Sequence, residues 1–280
     1  FSPALNEYNE DSNVNISEID LAFPGILPQV NYGAVKKSIM MALALNCKTP
    51  KFMYFDRKNY YYPDLPKGYQ ITQLHDPVGV DGYLDMYVGD EVKRVFIHDI
   101  HLEEDTASLD HYSSYSLINY NRAGVPLLET VTEPCLHSVD EALAFLDALR
   151  KIFIYCDVSE ARTDRGQMRC DVNVSLAPKG SNTLGTRVEM KNINSFVNVR
   201  NAIECEIARQ KEALENGEYN SYLKKLDNNI VEYSKIKDIN DVESFFNSSY
   251  IYEASFVFTY TDENGNEVNV NLANDVYQKS

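Results

Sequence analysis

The sequence contains no tryptophan, and its basic residues are far outnumbered by its acidic ones. Lysine and arginine total 26 against 42 aspartates and glutamates, so the formal net charge is −16. Because proteins bind nucleic acids largely through lysine and arginine contacts to phosphates, this balance excludes a wide phosphate-binding surface on the chain. A large RNA substrate that is held mainly by another domain remains compatible with it.

Long apolar runs and paired cysteines are also missing. No run approaches the roughly 18 apolar residues of a membrane span, and the mean hydropathy of −0.37 is typical of a soluble globular protein. The cysteines are scattered and form no CxxC pair: Cys47, Cys135, Cys156, Cys170 and Cys205. They predict reduced thiols in a reducing compartment, without zinc or disulfide bonds. Because the first segment is acidic and begins with Phe1, we expect no signal peptide and a start inside a longer protein.

The signatures of the common nucleotide-binding folds are absent. Neither GxxxxGK[ST] nor GxGxxG occurs, and GxSxG is missing too. A nucleotide site in this chain is therefore neither of the P-loop nor of the Rossmann type. The 280 residues suit one large domain or two small ones.

Helical and strand patterns mix along the chain, which predicts an α+β fold with an antiparallel sheet and flanking helices. The predicted helices are Gly33–Asn46, one that begins at the capping box after Ser138, and one from Ser195 to about Asn216. The predicted strand pairs are Tyr83–Val88 with Val92–Leu102, and Ser255–Thr261 with Glu267–Leu272. In the first helix we expect Val35, Ile39, Ala42 and Leu43 on one side.

Two further segments, Gln167–Ser175 and Leu184–Asn192, alternate between apolar and polar residues. If they pair as strands through the Pro178–Asn182 turn, one face is apolar and the other collects both signs of charge. That polar face carries Arg169, Asp171, Asn173, Arg187, Glu189 and Lys191. Alone, the pattern also fits the solvated outer face of an ordinary antiparallel sheet.

At two places in the sequence, a glutamate stands on the apolar face of a predicted strand. By alternation Glu104 shares a face with Phe96, Ile100 and Leu102, whereas Glu103 shares one with Asp99 and His101. A carboxylate among apolar neighbours is costly unless it is paired or binds a metal. Glu104 is therefore the better candidate for a Mg²⁺ ligand, and Glu103 the better candidate for a solvent-facing or supporting role. The alternative is a solvated strand end.

Glu129 is a second glutamate of this kind, because it shares a strand face with Leu127 and Val131. A loop with clustered charges, Phe55–Gln73, adds Arg57 and Lys58 before three tyrosines, and two prolines restrain its backbone. Such a loop is typical of a binding site, although tyrosines that pack and charges that are solvated explain it equally well.

Five motifs in this order resemble the B subunits of the aspartyl/glutamyl-tRNA amidotransferases: FDRKNYYYPDLPKGYQITQ, IHLEED, NYNRAGVPLLETVTEP, RCDVNVS and GTRVEMKNINS. The resemblance covers Phe1 to about Gly217. It implies a core of the glutamine synthetase/guanido kinase type in residues 1–217, with 218–280 as a divergent or inserted segment. It further implies ATP and Mg²⁺ as cofactors, and phosphorylation of Glu or Asp misacylated on tRNA, followed by attack of ammonia.

The implied partners are the amidase, which is the A-type component of the complex, its small C-type component, and misacylated tRNA, which further domains would hold. No membrane is implied, and the location is the bacterial cytoplasm or, alternatively, an organelle. Glu-tRNA, Asp-tRNA or both remain open as substrates, and so does an archaeal-type relative that makes only Gln-tRNA.

Matched position by position, the resemblance also implies roles for individual residues. Glu104 and Glu129 are the implied Mg²⁺ ligands, with Glu103 beside them. The implied catalytic residues are Glu103, Asp171, Glu189 and Lys191, and the implied nucleotide-binding residues are Arg57, Lys58, Arg169 and Arg187.

Three departures from the family pattern stand out, and the last two favour an alternative, a non-catalytic scaffold. The opening GLEVH strand of the family is not present, Arg165 stands where the family has an acidic residue, and 218–280 lacks the motifs expected next. The change at Arg165 puts a second metal in doubt. The 280-residue chain alone is therefore expected to fold without being a competent enzyme.

Overall fold

The computed structural model describes residues 1–4, 11–177, 179–181, 184–215, 257–261 and 267–271. The helices of this part are α1 (Tyr32–Ala44), α2 (Val139–Tyr155) and α3 (Phe196–Glu215). The strands are β1 (Asp56–Asn59), β2 (Tyr69–Thr72), β3 (Gly79–Val88), β4 (Glu91–Glu104), β5 (Ser108–His111), β6 (Ser116–Asn119), β7 (Pro126–Thr132), β8 (Cys170–Val174), β9 (Val188–Ile193), β10 (Val257–Thr261) and β11 (Glu267–Asn271). This is the expected mixture of helices and antiparallel strands; a core of the glutamine synthetase/guanido kinase type stays a prediction.

The chain divides into two compact units, Phe1–Glu206 and Ile207–Ser280. In the second unit β10 and β11 pair in antiparallel register, with Val257 opposite Asn271. The hairpin strands predicted there are confirmed, whereas the expected turn at Asn264 and Gly265 lies outside the described residues. The predicted boundary near residue 217 stays a prediction.

A three-stranded antiparallel sheet in the order β3-β4-β7 forms the centre of the first unit. The predicted hairpin around Gly89 and Asp90 is confirmed, and it pairs β3 with β4 from Val88 opposite Glu91 onward. The middle strand buries Val95, Ile97, Ile100 and Leu102. Helices α1 and α2 pack on β3, so the sheet is covered by helices near its β3 edge.

Helix α1 approaches β3 very closely because two strand positions are glycine. A Cβ on Gly79 would lie 2.8 Å from the Cβ of Ala42, and one on Gly82 would collide with the Cys47 thiol. The helix buries Met41 and Ala42, but Leu43 is 60% exposed. The expectation that Leu43 joins the core side is therefore wrong, because Met41 occupies the position facing the sheet.

The other two helices begin at side-chain caps. The Ser138 hydroxyl accepts a hydrogen bond from the backbone N–H of Glu141 at 3.1 Å, which confirms the predicted start of α2. The Glu141 carboxylate in turn accepts the backbone N–H of His137 at 2.7 Å. Ser195 caps α3 by accepting the N–H of Asn198 at 3.1 Å.

The first unit also contains two-stranded sheets. β1 pairs with β2, and β2 packs on β4. β8 pairs with β9 as predicted, with Asn173 opposite Glu189 and a bulge between Cys170 and Val172. Pro178 and Asn182, the ends of the predicted connecting turn, lie outside the described residues. In the described part, no helix is long and apolar enough to cross a membrane.

Candidate functional site

The candidate site is built around the end of β4, where two neighbouring glutamates are both buried. Glu103 is 8% exposed and Glu104 only 1%. Adjacent residues of a strand point to opposite faces of the sheet, so the two carboxylates enter different surroundings. The register decides which face holds other charges: β7 places Glu129 opposite His101, and Pro126 opposite Glu104.

On the Glu103 face, one histidine lies between two carboxylates. The Nε2 atom of His101 is 3.4 Å from the Glu129 carboxylate and 3.9 Å from that of Glu103. Its Nδ1 atom hydrogen-bonds the Asp99 carboxylate at 2.7 Å, which fixes the ring. The ligand atoms of His101, Glu103 and Glu129 all lie within 4.8 Å of one another. We call these three residues the carboxylate cluster.

The carboxylate cluster has strongly perturbed proton affinities. Burial lowers the pKa of His101, but hydrogen bonds to Asp99 and Glu129 outweigh it and raise that pKa to about 10. The hydrogen bond from His101 lowers the pKa of Glu129, whereas burial and the neighbouring Glu129 charge raise the pKa of Glu103. The imidazolium thus supplies one positive charge to a pair of acids, and Glu103 is left with an unfavourable charge.

Two lysines from other strands add positive charge around this cluster. Lys58 of β1 lowers the pKa of both Glu103 and Glu129, and Lys191 of β9 lowers that of Glu129. Lys191 also lies 3.1 Å from the Glu189 carboxylate. The structure therefore brings together five of the residues singled out from the sequence: Lys58, Glu103, Glu129, Glu189 and Lys191.

Glu104 does not join them, which corrects the expected choice of ligand. Its Oε1 atom accepts a hydrogen bond from the Lys67 ammonium at 2.6 Å, and its Oε2 atom accepts the backbone N–H of Ile71 at 3.1 Å. The Lys67 side chain is only 7% exposed, so this is a buried ion pair. The expectation that Glu104 and Glu129 share one site is wrong, because both faces of β4 are covered here and Glu129 lies on the other.

The remaining predicted residues make contacts of their own. Arg57 stacks on the Tyr69 ring at 4.7 Å. Arg169 donates to Asp105 at 2.9 Å, and Asp171 accepts the backbone N–H of Asn192 at 2.8 Å. Arg187 is exposed just before β9. Among the contacts described, none joins these four residues to the three of the cluster.

Sequence reasoning missed His101 as a member of the site and Lys67 as the partner of Glu104. His101 is two positions from both Asp99 and Glu103 in β4, so the three residues share a strand face. This spacing was the available signal for His101. Lys67 was missed because nothing local connects it to a glutamate 37 positions away.

A cation is the ligand that this donor set fits. Two carboxylates and an imidazole converge within 4.8 Å, and burial, together with the neighbouring Glu129 charge, raises the pKa of Glu103. Oxygen ligands such as Glu103 and Glu129 suit Mg²⁺, with lysines nearby for phosphate oxygens. Fold and site therefore define a class: an α+β protein with a candidate site for a divalent cation.

Comparison with known proteins identifies the family. The model of the GatB/GatE catalytic domain matches residues 1–264. Over 214 residues the chain is 46% identical to the B subunit of the aspartyl/glutamyl-tRNA(Asn/Gln) amidotransferase of Mycoplasmopsis agalactiae, covering 76% of this chain and 45% of that relative. The corresponding protein of Persephonella marina is 48% identical over 211 residues, covering 75% and 44%.

The chain belongs to the GatB/GatE family. It is also 46% identical to the corresponding protein of Staphylococcus saprophyticus over 217 residues, covering 78% of this chain and 46% of that relative. The chain therefore spans less than half the length of these curated relatives, while most of its own length is matched.

Proposed function

We propose that this chain is the catalytic part of an amidotransferase B subunit, which works in the bacterial cytoplasm on Glu or Asp misacylated on tRNA. ATP phosphorylates the side-chain carboxylate, and ammonia from the A-type amidase then forms Gln-tRNA or Asn-tRNA, with the small C-type component completing the complex. The relatives' names supply the substrates. The carboxylate cluster with its flanking lysines is the observation that carries the proposal.

Glu103 and Glu129 would hold Mg²⁺ in this reaction. The ion would offset the negative charge of the ATP phosphates, which repels the attacking carboxylate. Asp99 orients the His101 ring between the two glutamates, so the imidazole fixes their positions. Without an ion, the protonated ring carries the positive charge that the two carboxylates require.

Lys58 and Lys191 would bind phosphate oxygens. Both lysines already act electrostatically on Glu129, and they come from β1 and β9, two different strand pairs. Ammonium groups that reach the cluster from different strands can contact different oxygens of one phosphate chain. Glu189, 3.1 Å from Lys191, holds one of these ammonium groups in place.

The test replaces Glu103 and Glu129 singly by glutamine in the assembled amidotransferase. We expect each change to lower ATP-dependent formation of amidated tRNA by roughly 10²-fold or more, because an interaction that stabilises the transferring phosphoryl group is lost. Glutamine hydrolysis by the partner should continue. The matched control is Glu133→Gln, which changes a half-exposed acid that pairs with His98 outside the cluster.

Two results decide between catalysis and scaffolding. Loss of phosphorylation in both cluster variants, with the control unchanged, supports the proposal. Normal amidation by Glu103→Gln and Glu129→Gln at limiting Mg²⁺ would contradict it and favour the scaffold alternative.

A further inference from the structure

Asp105 joins three segments of the chain immediately after β4. Its Oδ2 atom accepts a hydrogen bond from Arg169 Nη2 at 2.9 Å and lies 3.3 Å from the Nε atom of Arg122. Its Oδ1 atom accepts the backbone N–H of Thr106 at 2.9 Å. The Asp105 side chain is only 12% exposed. One carboxylate oxygen thus holds two guanidinium groups side by side.

The two guanidiniums offer more donors than these contacts use. Arg122 donates from Nε to the carbonyl of Thr106 at 2.8 Å and from Nη2 to that of Ala107 at 3.1 Å, which fixes the plane of its group. The contact described for Arg169 uses Nη2 alone. Each guanidinium carries five N–H donors in a rigid fork. Because the side chains of Arg122 and Arg169 are 33% and 28% exposed, parts of both reach solvent.

The charges of this group do not balance. Two guanidiniums against one carboxylate leave a surplus of one positive charge, although the chain as a whole carries −16. Two cations on one oxygen repel each other, and one arginine would suffice to join the segments. A second anion placed against both guanidiniums would remove the repulsion. The arrangement is therefore suited to an anionic ligand.

The group borders the carboxylate cluster. Asp105 lies two residues beyond Glu103, and the charges of both carboxylates act on Tyr60. Burial raises the pKa of Tyr60 to about 12, and the neighbouring charges of Asp64, Glu103 and Asp105 add to that rise. Lys58, which acts on Glu103 and Glu129, lies 5.9 Å from the same tyrosine ring. A ligand bound at the cluster would lie near the arginines.

We propose that Asp105 is a positioning residue, which holds Arg122 and Arg169 together as a binding site for the phosphoryl group in transfer. This inference rests on the proposed function and names the groups that contact the moving phosphate. In the transfer, the bond from the bridging oxygen to the γ-phosphorus breaks, a bond from the substrate carboxylate oxygen forms, and the negative charge leaves on ADP. Guanidinium groups bind such oxygens in pairs.

The first test measures kcat and KM for MgATP separately in the assembled amidotransferase. Asp105→Asn and Arg169→Lys should each lower kcat for phosphorylation by about 10²-fold, since each disturbs a donor aimed at the transferring group. KM for MgATP should change much less. The matched control is Arg94→Lys, because Arg94 forms a comparable arginine–aspartate pair with Asp85 at 2.7 Å on the exposed part of β4. This control should leave kcat unchanged.

A second test separates binding from structural support. Arg169→Ala should lose phosphorylation and regain part of it with added methylguanidinium, but not with sodium chloride at equal ionic strength. This variant remains informative if Asp105→Asn fails to fold, which a thermal melt shows.

Three results would overturn the inference. The first is an unchanged kcat in Arg169→Lys and Arg169→Ala, and the second is a loss of phosphorylation that follows the melting temperature alone. The third is a folded Arg169→Ala whose phosphorylation methylguanidinium does not restore. Failure of the underlying function is distinguishable, because Glu103→Gln would then also leave phosphorylation intact.

Discussion

Glu103 and Glu104 are neighbours in β4, are both buried, and have opposite surroundings. Glu104 has an ammonium group at 2.6 Å and a backbone N–H at 3.1 Å, so its charge is satisfied within the chain. Glu103 has a second carboxylate nearby and a hydroxyl, that of Thr72, at 3.2 Å. One glutamate forms a structural ion pair, while the other shares the positive charge of His101 with Glu129.

The comparison shows that burial by itself does not identify a ligand. A buried carboxylate is costly in either case, and the partners decide what relieves the cost. The Lys67 ammonium offsets the cost of burying Glu104, so removing Lys67 should destabilise the fold. The cost of burying Glu103 beside a second carboxylate is only partly offset, so a bound cation should stabilise the fold. The two faces of β4 can therefore be separated by experiment.

The largest expected effect is on the Glu104 face. Lys67→Met should lower the free energy of unfolding by about 3–5 kcal/mol, because it leaves a buried carboxylate without its counter-charge. The double variant Lys67→Met with Glu104→Leu should recover most of this loss, since neither charge is then buried. Urea denaturation measures both. A double variant that is less stable than the single one would show that the ion pair is not the cause.

A smaller effect is expected on the Glu103 face. Saturating Mg²⁺ should stabilise the protein by RT ln(1 + [Mg²⁺]/Kd), about 2.7 kcal/mol at one hundred times Kd. Glu103→Gln and Glu129→Gln should abolish this shift in melting temperature, whereas Glu104→Gln should retain it from a lower starting value. A shift that survives in Glu103→Gln and disappears in Glu104→Gln would reverse our assignment of the two faces.

The smallest effect concerns His98, an exposed histidine on the same strand. Its Nδ1 atom lies 2.7 Å from the Glu133 carboxylate, and this hydrogen bond raises the pKa of His98. A raised folded-state pKa means that the pair stabilises the fold fully below the ordinary histidine pKa, and that this contribution is lost as the pH rises through the folded-state value. Because the pair is exposed, the gain is at most about 1 kcal/mol.

Proton NMR titration of His98 measures this effect directly. In Glu133→Gln the midpoint should fall towards the ordinary histidine value. An unchanged midpoint would mean that the carboxylate does not cause the shift.

Much of the local structure could be predicted from residue patterns. The Ser138 capping box predicted where α2 begins, and Gly89-Asp90 predicted the turn between β3 and β4. Such features depend on neighbours in the chain, which is why local patterns reveal them. Leu43 is the counterexample: its helical position is compatible with the core side, but α1 approaches Gly79 with Ala42, and Met41 and Ala42 are the residues it buries.

The residues of the candidate site likewise divide into those that local patterns predicted and those that long-range packing brought in. Motifs and alternation selected Lys58, Glu103, Glu129, Glu189 and Lys191 as members of a charged site, and they predicted that Glu103 and Glu104 point in opposite directions. They could not tell on which face other strands bring further charges. Alternation is symmetric, and an apolar pattern on one side of a strand does not show what covers the other.

By itself, then, the sequence determined the family, the main helices and strands, and the presence of a carboxylate-rich site. Only the tertiary structure decided that Glu129 joins Glu103 and His101, rather than Glu104. The reason is long-range packing: Lys67 reaches Glu104 from 37 positions away on one face of β4, while the register of β7 sets Glu129 opposite His101 on the other.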